Sequence, residues 1–466
     1  MQDLENRISR WVDEHRDAYL RDVSRLVAIR SVSGEPEAGK PFGPGPAAAL
    51  EEAMKICREQ GFRVIDHDGY VMTADLCAQE SVLDILAHLD VVGEGEGWNT
   101  DPYVATERDG CLYGRGTDDD KGPAVAAIYA MACVAEQFPL KKNVRLILGT
   151  DEESGSRDIR HYYAANKPAP NTFSPDASFP VFNTEKGGLA ARFSREWAKQ
   201  DSLPRITALE GGYRINVLPA DANATILGLE PGEIERICLP LAEKMKVKVQ
   251  ISRMEGGAKL RVKGLAAHAS TPEQGINGIT ALIRLLLALP LAEHPGLTAI
   301  RALDELMPHG DSEGKALGIA MEDHVSGSLT LAFSLLKMEE TGIEGSFDSR
   351  IPICATEENC RLPAKAAFEA RGFTFEGFLR PPHHTPEDSP FIRSMLQRYS
   401  AFTGRKGECL SMGGGTYVHD IPGGVAFGAA MPDFESNLHG ANERMNIEDM
   451  LTAIKVFAAV ICDLCT

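Results

Sequence analysis

The chain has 466 residues, 43% of them hydrophobic and 25% charged, with a formal net charge of −19. That is the make-up of a folded protein of more than one domain, with enough core to need no disulfide staples. So acidic a surface repels phosphate backbones and anionic bilayers, and no apolar run approaches the roughly 18 residues of a membrane span, so neither a nucleic-acid nor a membrane partner is expected.

The polar stretch 1–12 reads as no secretory leader. Trp11, Leu20, Val23, Leu26 and Val27 recur at helical spacing, before Gly and Pro break the pattern over 31–46. Residues 47–60 predict a second helix, closed by Gly61. A short buried strand is predicted at 82–87, a loop at 93–109, a helix at 123–138 with Pro123 in its opening turn, and another buried strand at 144–148. Strand, helix and strand in that order predict an α/β fold: a mixed, largely parallel sheet with flanking helices.

From about Thr184 the texture changes. Strand-like runs occur at 188–194, 223–227, 247–252 and 259–262, then a helix at 278–289 and further strands near 328–335 and 345–350. This predicts an inserted α+β domain, 184–383, interrupting a catalytic domain built from 1–183 and 384–466. A Pro-rich stretch at 381–390 marks the return. Ile447, Met450, Leu451, Ile454, Phe457, Ala458 and Ile461 then stripe a closing amphipathic helix. The ten cysteines are scattered, with a single CxxC at Cys462 and Cys465. That argues against a thiolate zinc site and fits a reducing compartment, so the expected location is cytoplasmic.

Five short motifs carry chemistry. In HLD at 88–90, His88 and Asp90 point the same way from a strand, and a carboxylate beside an imidazole fixes its tautomer as a metal ligand. In GRGTDDDKG at 114–122, three adjacent carboxylates repel one another unless something cationic sits among them. TDEES at 150–154 follows a strand, where open α/β sheets gather ligands, and its paired glutamates suit a division between metal binding and proton handling. SPDA at 174–177 and HGANE at 439–443 complete the set. Taken singly, each has an ordinary explanation: a polar strand end, a solvated acidic loop with Lys121 as counterion, or an acid-rich helix start. Together, two imidazoles and three carboxylates suit a pair of divalent ions such as zinc, manganese or cobalt, and the absence of thiolates argues against a purely structural zinc. One carboxylate can bridge two such ions.

In this order the motifs resemble those of the co-catalytic metallopeptidases that include carboxypeptidase G, acetylornithine deacetylase and the PepV-type dipeptidases. The resemblance runs across nearly the whole chain. SPDA, RINVLP at 214–219 and GGGTY at 413–417 are most similar to the PepV-type dipeptidases. The resemblance implies that His88, Asp119 and Asp176 hold one metal and that Asp119, Glu153 and His439 hold the other. Asp119 bridges, being two residues before Lys121, and its bond to Asp120 is expected to be cis. Asp90 would brace His88, and Glu152 would be the general base. The insertion resembles the family's lid, in which His268 would polarise the scissile carbonyl, Asn216 would help hold substrate, and Arg350 would grip the substrate's C-terminal carboxylate. Gly414 and Gly415 would lie near the substrate. A lid of about 200 residues would mimic a dimer partner and leave a monomer.

The resemblance thus implies a dinuclear dipeptidase with two zinc or manganese ions, or cobalt, which cleaves short peptides through a metal-bridged water and a Glu general base. An N-acyl-amino-acid deacylase on the same scaffold is the first alternative, and a non-catalytic peptide-binding protein is the remote one.

Overall fold

The computed structural model describes residues 2–466. They form two compact units. The first holds the described residues up to Thr184, then His384–Leu410 and Gly415–Thr466, and the second holds Glu185–His383 with Ser411–Gly414.

The first unit is α/β. Its sheet runs in the order Arg63–His67, Val71–Asp75, Asn143–Gly149, Ser81–His88, Asn171–Ser174, Gly424–Ala426, Val181–Glu185. The four central strands, from Asn143–Gly149 to Gly424–Ala426, are mutually parallel. Antiparallel pairs flank them on either side. Both central strands expected from the sequence are present, as Ser81–His88 and Asn143–Gly149. Their near-continuous apolar runs reflect burial on both faces, as parallel sheets require.

The helix Lys121–Gln137 starts two residues before the expected position and is buried from Lys121 through Val134. Its small residues make it apolar on every side, the mark of a core helix. The closing helix Ile447–Cys465 belongs to the same apolar core, with Ile8, Trp11, Tyr19 and Val23 from the first two helices, Gln2–Glu14 and Arg16–Val27. Buried Lys121 donates from Nζ to the carbonyls of Leu26 and Ile29, at 3.0 and 2.7 Å, which satisfies carbonyls left over where Arg16–Val27 ends. The expected helix at 47–60 is Pro44–Glu59, followed by Gly61 in the left-handed region at φ +80°. The loop expected at 93–109 contains one short strand, Thr106–Arg108.

The second unit is α+β. Its sheet runs Lys248–Met254, Gly257–Lys263, Asp221–Leu227, Arg205–Gly211, Thr330–Glu339, Gly342–Ile351, Gly187–Glu196, Thr374–Arg380, antiparallel at every pairing. Asp221–Leu227 alternates buried and half-buried residues along its whole length, as a sheet with one face against the core does. The helices Pro231–Lys244, Gly278–Leu287, Pro295–Leu306 and Leu362–Glu369 contribute to that unit's core. Asn277 caps Gly278–Leu287 by accepting the amides of Ile279 and Thr280. Among the described residues no helix is long and apolar enough to cross a membrane. All ten cysteines are free.

Candidate metal centre

The carboxyl ends of three parallel strands deliver most of the expected donors. His88 ends Ser81–His88, Glu152 and Glu153 follow Asn143–Gly149, and Asp176 follows Asn171–Ser174. This is where an open parallel sheet places ligands, because the strand ends and the loops beyond them form a crevice there. Asp119 arrives from the loop before Lys121–Gln137, and His439 from the loop before Ile447–Cys465.

Asp119 is the centre of the arrangement. Its Oδ1 lies 2.9 Å from His88 Nε2 and its Oδ2 lies 2.8 Å from His439 Nε2. Asp176 Oδ2 stands 3.8 Å from His88 Nε2, and Glu153 Oε1 3.2 Å from His439 Nε2. Two donor sets result, His88–Asp119–Asp176 and Asp119–Glu153–His439, each with ligand atoms within 4.8 Å of one another. The bond from Asp119 to Asp120 is cis, as expected.

The orientation of His88 is fixed from behind. Its Nδ1 lies 2.9 Å from the carbonyl of Asp90, an acceptor only, so Nδ1 carries a proton and Nε2 is the nitrogen directed at the donor set. The backbone N–H of His88 donates to Asp120 Oδ2 at 2.9 Å. The carboxylate of Asp90 was expected to brace the imidazole, but it stands 3.6 Å from Nδ1. It instead accepts the backbone N–H groups of Glu152 and Glu153, one on each oxygen, both at 3.1 Å. Asp90 therefore braces His88 through its main chain and the Glu152–Ser154 turn through its side chain.

The electrostatics are those of an anionic cluster. Burial would push the His88 imidazole down, but the hydrogen bond with Asp119, the Asp90 carboxylate close behind the ring and the charges of Asp119 and Asp176 raise it well above its usual value. Hydrogen bonding to Asp119 and Glu153 raises His439 to about 10. Burial works to raise Asp119, yet the two imidazoles hold it well below the usual carboxylate range. Burial pushes Glu152 up to about 8 and Asp118 to about 7, and it raises Asp176 and Asp120 well above normal, with neighbouring carboxylates adding to each. So many carboxylates in one desolvated space favour either protons or cations. The donor chemistry, an imidazole and two carboxylates in each set with one carboxylate shared, fits divalent metals of borderline or hard character.

Several supporting residues carry no signal of their own in the sequence. Asp158 Oδ2 accepts the amides of Thr150 and Asp151, at 2.5 and 2.9 Å, and the hydroxyl of Tyr417 at 2.5 Å. The Tyr417 ring meets His88 edge-on, with centroids 6.2 Å apart. Arg115 and Glu443 lie inside two of the motifs, but only the structure reveals their pairing, at 2.5 Å.

The remaining expected residues sit in the second unit, except Gly415, which belongs to the first. Asn216 accepts the amide of Ala269 on its carbonyl at 3.0 Å, and the strand pair Val217–Leu218 with Ala267–His268 sets Val217 opposite His268. His268 Nδ1 receives the backbone N–H of Ser270 at 3.2 Å and lies 2.6 Å from the Ser270 hydroxyl. Arg350 donates from Nη1 to the Gly413 carbonyl and from Nη2 to Asp348, each at 2.9 Å. The Thr330 hydroxyl joins the two groups, donating to the Ala269 carbonyl and accepting the Arg350 amide. Within the second unit, main-chain groups and the Thr330 hydroxyl thus link the segments that carry Asn216, His268 and Arg350.

The sequence matches peptidase family M20/M25/M40 over residues 85–463. YtjP of Bacillus subtilis (strain 168) is 33% identical over 455 residues, covering 96% of this chain and 97% of that protein. The Beta-Ala-Xaa dipeptidase of Lactobacillus delbrueckii subsp. lactis is 31% identical over 458 residues, covering 96% of each. Human carnosine dipeptidase 1 superposes with a TM-score of 0.60 over 99% of this chain and 98% of that one, at 18% identity, a likeness of fold. The chain belongs to peptidase family M20/M25/M40.

Proposed function

We propose that the chain is a dinuclear metal-dependent dipeptidase that cleaves short peptides bearing a free C-terminal carboxylate. One observation carries the reading: the two oxygens of Asp119 reach different imidazoles, so a single carboxylate belongs to both donor sets. His88, Asp119 and Asp176 would hold one ion and Asp119, Glu153 and His439 the other, with zinc or manganese, and also cobalt, suited to the donors. When bound, such a pair polarises the substrate carbonyl and acidifies water.

The remaining steps fall to the chain's own groups. Glu152, adjacent to the ligand Glu153 and held by its backbone N–H on Asp90, is assigned to take the proton from water and return it to the leaving amine. His268, with Nδ1 accepting from Ser270, carries its proton on Nε2 when neutral and is assigned to donate to the developing oxyanion. Arg350 is assigned to the substrate carboxylate, and Asn216, Gly414 and Gly415 to the rest of the substrate. The similarity to a Beta-Ala-Xaa dipeptidase makes β-alanyl dipeptides candidate substrates. An insertion long enough to mimic a partner supports a monomer, and ten free cysteines support the cytoplasm.

The test is an apoprotein reloaded with Zn²⁺, Mn²⁺ or Co²⁺ and offered dipeptides, including β-alanyl ones, beside N-acetyl and N-succinyl amino acids. Dipeptides are expected to give the highest kcat/KM. Preference for the N-acyl amino acids over every dipeptide overturns the reading in favour of a deacylase.

A further inference from the structure

Asp119 and His439 must stay in register for the shared carboxylate to serve the second donor set, yet neither belongs to a helix or strand. Asp119 lies in the turn after Gly116, whose φ of +85° favours glycine. His439 lies in a loop where three non-glycine residues, Asn437, His439 and Asn442, adopt the left-handed conformation, with φ between 58° and 59°. Such conformations persist only where the surroundings hold them. A short antiparallel ladder, Cys111–Tyr113 with Arg444–Asn446, ties the chain just before the Asp119 loop to the chain just after the His439 loop, but it stops short of both donors.

Beyond that ladder, the two loops are joined by the side chains of Arg115 and Glu443. Their side chains are 1% and 0% exposed, and Arg115 Nη1 meets Glu443 Oε2 at 2.5 Å. The other carboxylate oxygen of Glu443 accepts three amides of the Asp119 loop: Gly116 at 2.9 Å, Asp118 at 3.1 Å and Asp119 itself at 3.2 Å. Arg115 Nη2 in turn faces the carbonyls of His439 and Gly440, at 3.3 and 3.1 Å. It also reaches those of Gly93 and Glu94, and the guanidinium sits over the Trp98 ring at 5.3 Å. A residue from the His439 loop thus grips the Asp119 loop, and a residue from the Asp119 loop grips the His439 loop. Desolvation makes a buried ion pair a poor source of net stability, so its value lies in the geometry that it imposes.

We infer that Arg115 and Glu443 are positioning residues that fix the Asp119 carboxylate against the His439 imidazole and so set the affinity of the Asp119–Glu153–His439 set for its cation. The inference rests on the two-metal reading above. The His88–Asp119–Asp176 set depends less on the pair, because His88 sits on a sheet strand and Asp176 directly follows one.

The test titrates Co²⁺ alone into apoprotein, followed by calorimetry and by visible absorption, for wild type, Glu443→Gln and Arg115→Lys. Glu443→Gln keeps an oxygen for the three amides but leaves Arg115 without its charge partner. Arg115→Lys keeps the charge but loses the fork that spans Glu443 and the two carbonyls. Both variants are expected to bind one ion as wild type does and the other about 10–100-fold more weakly, the range for groups that orient metal ligands. The absorption band of the second ion should change, and the far-UV dichroism should stay native. Two ions bound at wild-type affinity by a natively folded variant overturn the inference, as does equal weakening of both. If Glu443→Gln does not fold, Arg115→Lys decides by the same criteria. Wild type that binds fewer than two ions instead defeats the two-metal reading itself.

Discussion

Asp90 Oδ2 accepts the backbone N–H of Glu153 at 3.1 Å, so the residue two places beyond His88 holds the turn that carries the paired glutamates. Its Oδ1 does the same for Glu152. Asparagine at this position offers one oxygen and turns an N–H₂ group toward the other amide. Asp90→Asn is therefore expected to lower kcat and the affinity for one metal by about 10–100-fold, while the protein still folds. Steady-state kinetics and metal titration check this, and a variant within twofold of wild type in both would deny Asp90 the role.

Glu152 is expected to separate chemistry from metal binding. Glu152→Gln keeps the backbone N–H to Asp90 and the neighbouring ligand Glu153, so both ions should bind with near wild-type affinity. General acid–base groups contribute about 10²–10⁴-fold, and kcat should fall in that range. Retention of more than a tenth of wild-type kcat sinks the assignment.

Removing the metals should cost stability as well as activity. Asp118, Asp119, Asp120, Glu152, Glu153 and Asp176 crowd one region, and their mutual repulsion is relieved only by protons or cations. An ion present at 100 times its Kd stabilises the fold by about 2.7 kcal/mol per site, so the melting temperature should fall on chelation and recover with added metal. Stoichiometry discriminates further. Asp176→Ala and His439→Ala should each keep one ion, whereas Asp119→Ala should keep neither tightly. Elemental analysis of the dialysed variants reads this out, and two tightly held ions in Asp119→Ala would contradict the shared-carboxylate geometry.

Asp158 gives the fold a pH dependence of defined sign. Burial is the main cause that pushes its carboxyl up to about 6 from the ordinary 3.8, although Tyr417 and the amides of Thr150 and Ile159 pull the other way. The folded state thus holds a proton that the unfolded chain releases. The stabilisation is full below about pH 4 and is lost as pH rises through about 6, amounting to ~3 kcal/mol for a shift of about two units. Asp158→Asn removes this dependence. Relative to wild type, the variant should gain stability between pH 4 and pH 7, and urea unfolding at both values measures the gain. A stability difference that is the same at the two pH values refutes it.

The donor set was legible because each of its members sits in a short motif, and because a run of acids such as 118–120 needs a cation to explain it. The strands that carry these motifs were legible for a related reason: burial on both faces leaves continuous apolar runs such as 144–148. The braces behind the donors were not. The bond from Tyr417 to Asp158 joins residues 259 apart, and the amides gathered by Asp90 and Glu443 are main-chain groups that every sequence contains. The second unit was read less completely. In Arg205–Gly211 a register shift between Ile206 and Ala208 breaks the alternation that marks a strand, and in Thr374–Arg380 Gly377 interrupts it. Pro240 inside Pro231–Lys244 conceals that helix, because proline ordinarily ends one.

Arg350 carries the sharpest prediction for the second unit. It is held from two sides, by the Gly413 carbonyl and by Asp348, and so is oriented before substrate arrives. A charge-assisted hydrogen bond contributes about 1.5–3 kcal/mol, which converts to roughly 10–150-fold in binding. Arg350→Met should therefore raise KM for a dipeptide by that factor and change kcat much less, because the contact is made equally in the ground and transition states. Amidation of the substrate's C-terminus should impose a similar penalty on wild type and add little in the variant, since the same interaction is already gone. Asp348→Asn should raise KM by a smaller factor, because Arg350 keeps its charge but loses one of its two anchors. If the penalties for amidation and for Arg350→Met simply multiply, Arg350 does not contact the carboxylate, and another cation must be sought.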